Sequence, residues 1–139
     1  MSEKLQLDIT TPHGSVFSAE VDEITATGSE GEFGVLPGHA SYITTLKSGP
    51  LTLKTDGNSD HYFVSWGYAE VGPDKVAILA DSAEHASAID VERAREAHDR
   101  ALVDMDHEDE EKFAAAEAAL ERAAARMHVA EHFGTGLKK

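Results

Sequence analysis

Ala88-Ile89-Asp90-Val91-Glu92-Arg93-Ala94 divides the sequence into two parts with different hydrophobic patterns. Before this segment, apolar and polar residues alternate in short runs, as in Leu5–Ile9, and glycine or proline separates the runs. Such alternation is typical of half-buried β-strands. After the segment, apolar residues recur at a spacing near that of an α-helix. The sequence therefore predicts an α+β protein, with a β-sandwich over residues 1–84 and a helical part over residues 85–139.

The first part is predicted to consist of short strands that are separated by turn-forming residues. The predicted strands are Lys4–Thr10, Ser15–Ser18, Val21–Thr27, Phe33–Leu36, Tyr42–Leu46, Leu51–Thr55, His61–Ser65, Tyr68–Val71 and Val76–Ala80. No helix-length pattern lies between them, so an antiparallel sandwich or barrel is expected.

The second part is predicted to form an antiparallel helical hairpin. One apolar series runs through Ile89–Met105 and another through Phe113–Ala130, and the acidic segment Asp104–Glu111 lies between them as a corner. The apolar faces are rich in alanine, which buries little area, so the hairpin is expected to be marginally stable and detachable. A rigid, permanently folded hairpin is the alternative.

Composition limits the classes of partner. The chain has 139 residues and a net charge of −14, which disfavours nucleic acid and anionic lipid as partners and favours a basic protein. It contains no cysteine, which removes disulfides and thiolate catalysis. No stretch approaches the roughly 20 apolar residues of a membrane span, so direct membrane insertion is not expected.

Asp90 and a group of arginines form the first candidate site. Asp90 occupies a predicted N-cap with Arg93 one turn later, and Arg100, Arg122 and Arg126 follow along the two helices. If the hairpin closes, these guanidinium groups could converge on a multiply charged anion such as a nucleoside triphosphate. Alternatively, Asp90 only caps the helix and the arginines pair with nearby carboxylates.

The glycine-rich segment Gly31–Ala40 is the second candidate site. Pro37-Gly38 suits the centre of a type II turn, and the segment lacks the Lys-Ser/Thr of a phosphate-binding loop. Glu32, Phe33 and His39 are therefore predicted to present a contact surface on a stiff loop. A tight turn with a purely structural role is the alternative.

Catalytic and metal sites are not predicted. His128 and His132 have the spacing of helix-borne metal ligands, but no third ligand is apparent, so a solvated helix face is expected. No serine is accompanied by the histidine, acid and glycines of a hydrolase.

Taken together, these segments resemble the epsilon subunit of the bacterial rotary (F-type), proton-translocating ATP synthase. The most specific is Gly31-Glu32-Phe33-Gly34-Val35-Leu36-Pro37-Gly38-His39. The resemblance extends over Leu5–Pro12, Gly28–Ala40, Tyr68–Val71, Val76–Asp81 and Ile89–Ala94.

The resemblance implies a sandwich of two five-stranded sheets followed by a helix-turn-helix. It also implies a non-catalytic rotor subunit, peripheral on the cytoplasmic face of the bacterial inner membrane, whose sandwich binds the gamma subunit and the c-subunit ring. Glu32 matches the position that faces the ring, and His39 matches a position near gamma. A free-standing ATP-sensing regulatory protein is the alternative function.

The resemblance implies a regulatory role for the helical arm, which in this family is either folded or extended along gamma to the alpha/beta catalytic head, where it blocks ATP hydrolysis. Some members bind ATP in the folded state, with or without magnesium, and no other cofactor is expected. The candidate ATP-binding residues carried over by position are Glu84, Ile89, Asp90, Arg93, Ala94, Arg100, Arg122 and Arg126. Two departures are Ser65-Trp66-Gly67, where the family usually has Ser-Gly-Gly, and Ala115, where an ATP-binding member can carry arginine.

Overall fold

The computed structural model describes residues 3–106 and 109–134. The chain divides into two compact units, Met1–Glu84 and His85–Lys139. The first unit is built of β-strands, and the second holds a short 3₁₀ turn and two α-helices. No described helix combines the length and the hydropathy needed to cross a membrane.

Within the described residues, eight strands form the first unit. They are β1 (Leu5–Thr11), β2 (Gly14–Val21), β3 (Glu23–Gly28), β4 (Gly31–Val35), β5 (Tyr42–Leu46), β6 (Gly49–Thr55), β7 (Asn58–Val71) and β8 (Lys75–His85). Hydrogen bonds join them in the order β2-β1-β8-β7-β5-β3-β4, and β6 pairs with both β3 and β7.

The predicted β-sandwich is confirmed. Two details of the predicted antiparallel, five-stranded sheets are corrected. β1 and β8 pair in parallel. β7 is 14 residues long and pairs with β6 through Asn58–Val64 and with β5 through Gly67–Val71. One continuous strand therefore serves both parts of the sheet, where the sequence predicted two separate strands.

Trp66 and Gly67 form the corner at which β7 changes its pairing partner. Both have positive φ angles, 38° at Trp66 and 150° at Gly67. A Cβ atom on Gly67 would lie 1.8 Å from the carbonyl oxygen of Leu79, so only glycine fits there. Left-handed backbone at a non-glycine residue such as Trp66 costs about 1–2 kcal/mol.

The core of the sandwich follows from the alternation along its strands. In β1, Leu5, Leu7 and Ile9 are completely buried, and the intervening residues are partly exposed. Every strand contributes to the same core cluster, as Val21, Ile24, Val35, Leu46, Leu51, Val64 and Ile78 illustrate. Full burial of each large aliphatic side chain contributes about 1.5–3 kcal/mol, so this core dominates the stability of the unit.

Lys4 links three chain segments of the sandwich. Its ammonium nitrogen lies 2.9 Å from Asp22 Oδ1 and 3.1 Å from Asp56 Oδ1. The backbone N–H of Asp56 donates to Asp22 Oδ2 at 2.7 Å, which closes the cluster. The hydrogen bond from Lys4 lowers the pKa of Asp22, and the hydrogen bond to Asp22 raises the pKa of Lys4.

The second unit begins with a 3₁₀ turn at Ala86–Ala88, followed by α1 (Val91–Asp104) and α2 (Glu110–Phe133). Asp109 caps α2 by accepting hydrogen bonds from the N–H groups of Glu111 and Lys112. Glu110 and Glu111 lie in the first turn of α2, where their negative charges oppose the helix dipole. Two residues of the predicted corner, His107 and Glu108, lie outside the described residues.

Small residues fill the buried face of the helical pair. Ala94 and Ala101 are buried on α1, and Ala116 and Ala123 are buried on α2, each pair seven residues apart. α1 and α2 contact each other along this hairpin. Because alanine side chains remove little area from water, the contact provides modest stabilisation.

The end of α2 packs against the 3₁₀ turn. The N–H of Gly134 donates to the carbonyl oxygen of Ala130 at 2.9 Å and caps the helix. A Cβ atom on Gly134 would lie 2.6 Å from the carbonyl oxygen of Ala86. The last turn of α2 is therefore held closely to the segment that precedes α1.

Candidate functional site

The segment Ile89–Ala94 forms the start of α1. Asp90 is the N-cap, as predicted, and its Oδ1 accepts a hydrogen bond from the backbone N–H of Arg93 at 3.1 Å. Ile89 and Ala94 are buried, whereas Asp90 and Arg93 are exposed. Two apolar residues thus anchor this turn, and two charged residues are presented to solvent.

The arginines of α1 differ in what they contact. Arg93 and Arg100 are seven residues apart, so they lie on one side of the helix about 10 Å apart along its axis, and both are exposed. Nη1 of Arg95 lies 2.6 Å from Oε2 of Glu92, so this arginine has the nearby carboxylate partner that the capping interpretation expects.

The remaining predicted nucleotide ligands are distributed over both units. Arg122 and Arg126 lie one turn apart on α2, and both are half-buried. Glu84 is half-buried near the end of β8 and belongs to the first unit. Ala115 is exposed on α2.

The predicted type II turn is confirmed at Pro37-Gly38. The N–H of His39 donates to the carbonyl oxygen of Leu36 at 3.1 Å, and Gly38 has a φ of 90°. The N–H of Gly38 also donates to the carbonyl oxygen of Pro73 at 2.7 Å. The turn is therefore fixed to the connection between β7 and β8, and it forms a stiff loop.

Glu32 lies near the start of β4, and His39 closes the turn that follows β4. Glu32 is exposed and pairs with Thr27 one position from the tip of the β3–β4 hairpin. His39 is half-buried, with Nδ1 2.6 Å from the carbonyl oxygen of Ala40 and its ring centroid 6.3 Å from that of Tyr42. The two residues thus mark two separate regions of the sandwich surface.

Sequence reasoning missed an exposed apolar face on strands β5, β7 and β8. Ile43, Tyr68 and Leu79 are 70%, 55% and 47% exposed. Thr45, two residues from Ile43, pairs with Tyr68, so Ile43 and Tyr68 lie on the same side of the sheet. Leu79 alternates with the buried residues Ile78 and Ala80, which places it on the outer side as well. We call Ile43, Tyr68 and Leu79 the apolar face.

Two surface cavities border the apolar face. The larger, of about 690 Å³, is lined by Trp66, Tyr68 and Leu79 together with residues at the end of β1. The smaller, of about 410 Å³, is lined by Ile43 and Glu70 among others. Grouped exposed apolar side chains beside concave surface are typical of a protein interaction site.

The signal that could have revealed this face is present in the sequence. Tyr42-Ile43 and Ile78-Leu79 place large apolar residues side by side within strands, and so on both surfaces of the sheet. A half-buried strand needs such residues on one surface only.

The described residues contain no group of three or more histidine, aspartate or glutamate side chains arranged to hold a metal ion. The groups brought together by the fold are instead a helix start that presents Asp90 and Arg93, a stiff loop, and the apolar face. This arrangement suits binding.

Comparison with known proteins shows the same two-part organisation. The β-sandwich domain family of the ATP synthase delta/epsilon chain matches residues 4–86, and the long α-helix domain family of that chain matches residues 87–131. The ATP synthase epsilon chain of Geotalea uraniireducens is 54% identical over 133 residues, which cover 94% of this chain and 96% of that protein. The epsilon chain of Geobacter metallireducens is 53% identical with the same coverage.

Solved structures that resemble this chain also come from ATP synthases. A chain in the cryo-EM structure of the Euglena gracilis mitochondrial ATP synthase, containing OSCP, F1 and the c ring, has a TM-score of 0.82 and 29% identity, covering 95% of this chain and 84% of that chain. A chain of the Tetrahymena thermophila mitochondrial ATP synthase central stalk and c ring shares the fold at 13% identity, with a TM-score of 0.61 and coverage of 93% and 98%. Both domain families match in order, and the bacterial relatives match over nearly the full length. The chain belongs to the ATP synthase epsilon-chain family.

Proposed function

We propose that this chain is a non-catalytic rotor subunit in the central stalk of a bacterial F-type ATP synthase. In that role it couples proton flow through the c ring to ATP synthesis and restrains ATP hydrolysis. The observation that carries the proposal is the match of both domains, in order, to epsilon chains that are about half identical to it. As a subunit of this membrane-associated complex, the chain is peripheral and faces the cytoplasm at the inner membrane.

The apolar face is the surface that best fits the gamma subunit. A water-exposed cluster of Ile43, Tyr68 and Leu79 is unfavourable unless a partner covers it. The adjoining cavities provide concave surface for the partner's side chains. His39 contacts Tyr42, which precedes Ile43 in β5 and therefore points to the opposite surface of the sheet, so the proposed contact of His39 with gamma is separate from the apolar face.

Glu32 is the proposed contact with the c ring. Its exposed carboxylate lies beside the tip of the β3–β4 hairpin, where a side chain can reach a second surface. Because the hairpin is bonded along its length through β3, force applied at the tip is transmitted to the sandwich. The proposed contacts for gamma and for the ring are thus carried by one stiff body.

The helical unit is the proposed regulatory arm. When extended, its basic side chains, Arg122 and Arg126 among them, would meet acidic surface on the alpha/beta catalytic head. When folded, Asp90, Arg93, Arg100 and the two α2 arginines would bind ATP, with or without magnesium, and Glu84 is a further candidate ligand. The exposed carboxylate of Asp90 keeps one oxygen, Oδ2, outside the capping bond for a ribose or adenine donor.

Purification through an affinity tag on this chain tests the proposal. Membranes solubilised in mild detergent should yield the gamma and c subunits together with the tagged chain. Recovery of the chain alone, from the soluble fraction, would instead support a free-standing ATP-sensing protein. A tag on an unrelated peripheral protein of the same membranes controls for carry-over.

A further inference from the structure

A pair of histidines lies on the final turns of α2, outside every site described above. His128 and His132 are both exposed and are four residues apart, so they lie on one side of the helix. Their ring centroids are 4.2 Å apart, and the ring planes are inclined by 35°. Both imidazoles are therefore close enough to serve a single small ligand.

A backbone contact fixes the tautomer of one ring. Nδ1 of His132 lies 3.2 Å from the carbonyl oxygen of His128. A carbonyl oxygen only accepts hydrogen bonds, so Nδ1 of His132 carries the proton and Nε2 of the neutral ring carries a lone pair. Metal-ligating histidines commonly donate their second ring nitrogen to a backbone carbonyl in this manner.

We propose that His128 and His132 form a two-histidine site for a divalent transition-metal ion such as Zn²⁺ or Ni²⁺. Neutral imidazole suits these ions, at a Zn–N distance of about 2.0–2.1 Å, whereas Mg²⁺ prefers oxygen ligands. Water fills the remaining positions, because no group of three ligating side chains occurs among the described residues. The bound ion is therefore expected to exchange readily with ions in solution.

Glu131 completes the spacing His-x-x-Glu-His that some helix-borne zinc hydrolases use. Those enzymes hold the ion with a third protein ligand, which is absent from the described part of this chain. The inference is therefore ion binding and does not extend to hydrolysis.

Ion binding at this pair has a structural consequence. A metal bridge between residues one turn apart opposes fraying of the helix end. The same turns end at Gly134, whose N–H bonds to Ala130 and which packs against Ala86 of the 3₁₀ turn. Occupancy of the site thus stabilises the folded form of the helical unit, because a ligand that binds only the folded state stabilises that state.

Titration of the full chain with ZnCl₂ tests the inference. The expected results are a saturable heat of binding, a rise in the melting temperature that EDTA reverses, and no such rise with MgCl₂. His128→Gln and His132→Gln should each weaken Zn²⁺ binding at least about tenfold. His98→Gln is the matched control, because His98 lies on α1 beside Asp99 and is not part of the pair.

NMR of the unaltered chain gives a readout that does not depend on how the variants fold. Zn²⁺ should shift the imidazole signals of His128 and His132 and leave that of His98 in place. Equal Zn²⁺ binding by the chain that carries both His128→Gln and His132→Gln would show that other side chains hold the ion, and would overturn the inference. Absence of binding at millimolar Zn²⁺ would overturn it as well.

Discussion

The Oδ1 atom of Asp90 lies 3.1 Å from the backbone nitrogen of Arg93 and accepts its hydrogen bond. The same two residues are the centre of the proposed nucleotide site, so one carboxylate serves both helix capping and ligand binding. Capping uses one of its oxygens and leaves the other exposed. The structural role and the proposed ligand role of Asp90 are therefore compatible.

Substitution of Asp90 separates these two roles. Asp90→Ala should destabilise the helical unit by about 1 kcal/mol, because an unfilled N-cap leaves a backbone donor unsatisfied. Asp90→Ser retains a capping oxygen and should leave stability nearly unchanged while removing the carboxylate. Urea unfolding, followed by the circular dichroism of the helices, measures the stability of both variants. Equal stability of the alanine variant and the parent chain would show that the cap contributes nothing.

Nucleotide binding is expected to depend on exposed arginines of α1. Arg100→Ala should abolish or strongly weaken the heat of MgATP binding to the isolated chain. Arg95→Ala is the matched control, since the guanidinium of Arg95 is paired with Glu92 at 2.6 Å and should not be needed. A parent chain that gives no heat with MgATP would leave the arm without a nucleotide site. Equal losses in both variants would indicate a general effect of charge.

The apolar face is expected to dominate binding to the gamma subunit. Ile43→Ser and Leu79→Ser should each weaken the complex by about tenfold or more, because truncation of a central apolar contact costs about 2 kcal/mol. Val103→Ser is the control, since Val103 on α1 is as exposed as Ile43, at 70%. Biolayer interferometry with purified gamma provides the affinities. Unchanged affinity in both face variants would place the interface elsewhere.

Acid is expected to lower the stability of the sandwich by weakening the contacts among Lys4, Asp22 and Asp56. The folded-state pKa of Asp22 is lowered by the hydrogen bond from Lys4. Its contribution to stability is therefore present above the unfolded pKa of about 3.9 and is lost as the pH falls through the folded value. Lys4→Met should flatten the dependence of unfolding free energy on pH in this acid range.

The control for the Lys4 substitution is Lys47→Met, at an exposed lysine that follows β5. Urea unfolding at pH 6 and at pH 3 compares the three chains. Parallel losses of stability in all of them would show that the Lys4–Asp22 contact does not contribute to the acid sensitivity.

Local features were the ones that the sequence predicted well. The N-cap at Asp90 and the turn at Pro37-Gly38 depend on residues close in the chain, and the structure confirms both. The strands of the sandwich were predicted for a similar reason, since apolar residues such as Leu5 and Leu7, which alternate with polar ones, are the residues that are buried.

Features that depend on pairing between distant strands were not predicted. The sequence predicts that one strand ends before Trp66-Gly67 and another begins after it. In the structure, Gly67 packs against Leu79, and Trp66-Gly67 is the corner of one long strand. The sequence shows large apolar residues on both surfaces of β5 and β8, but their grouping with Tyr68 into one apolar face depends on β5, β7 and β8 being neighbours. The parallel pairing of β1 with β8 also follows from topology and leaves no local mark in either strand.

Proton-driven ATP synthesis in inverted membrane vesicles from cells that lack this chain tests the central claim most directly. If the chain links the gamma subunit to the c ring, synthesis should fall to a small fraction of the normal rate and return when the purified parent chain is added. The chain carrying both Ile43→Ser and Leu79→Ser should restore it poorly. Undiminished ATP synthesis in vesicles without the chain would contradict its assignment as a coupling subunit of the stalk.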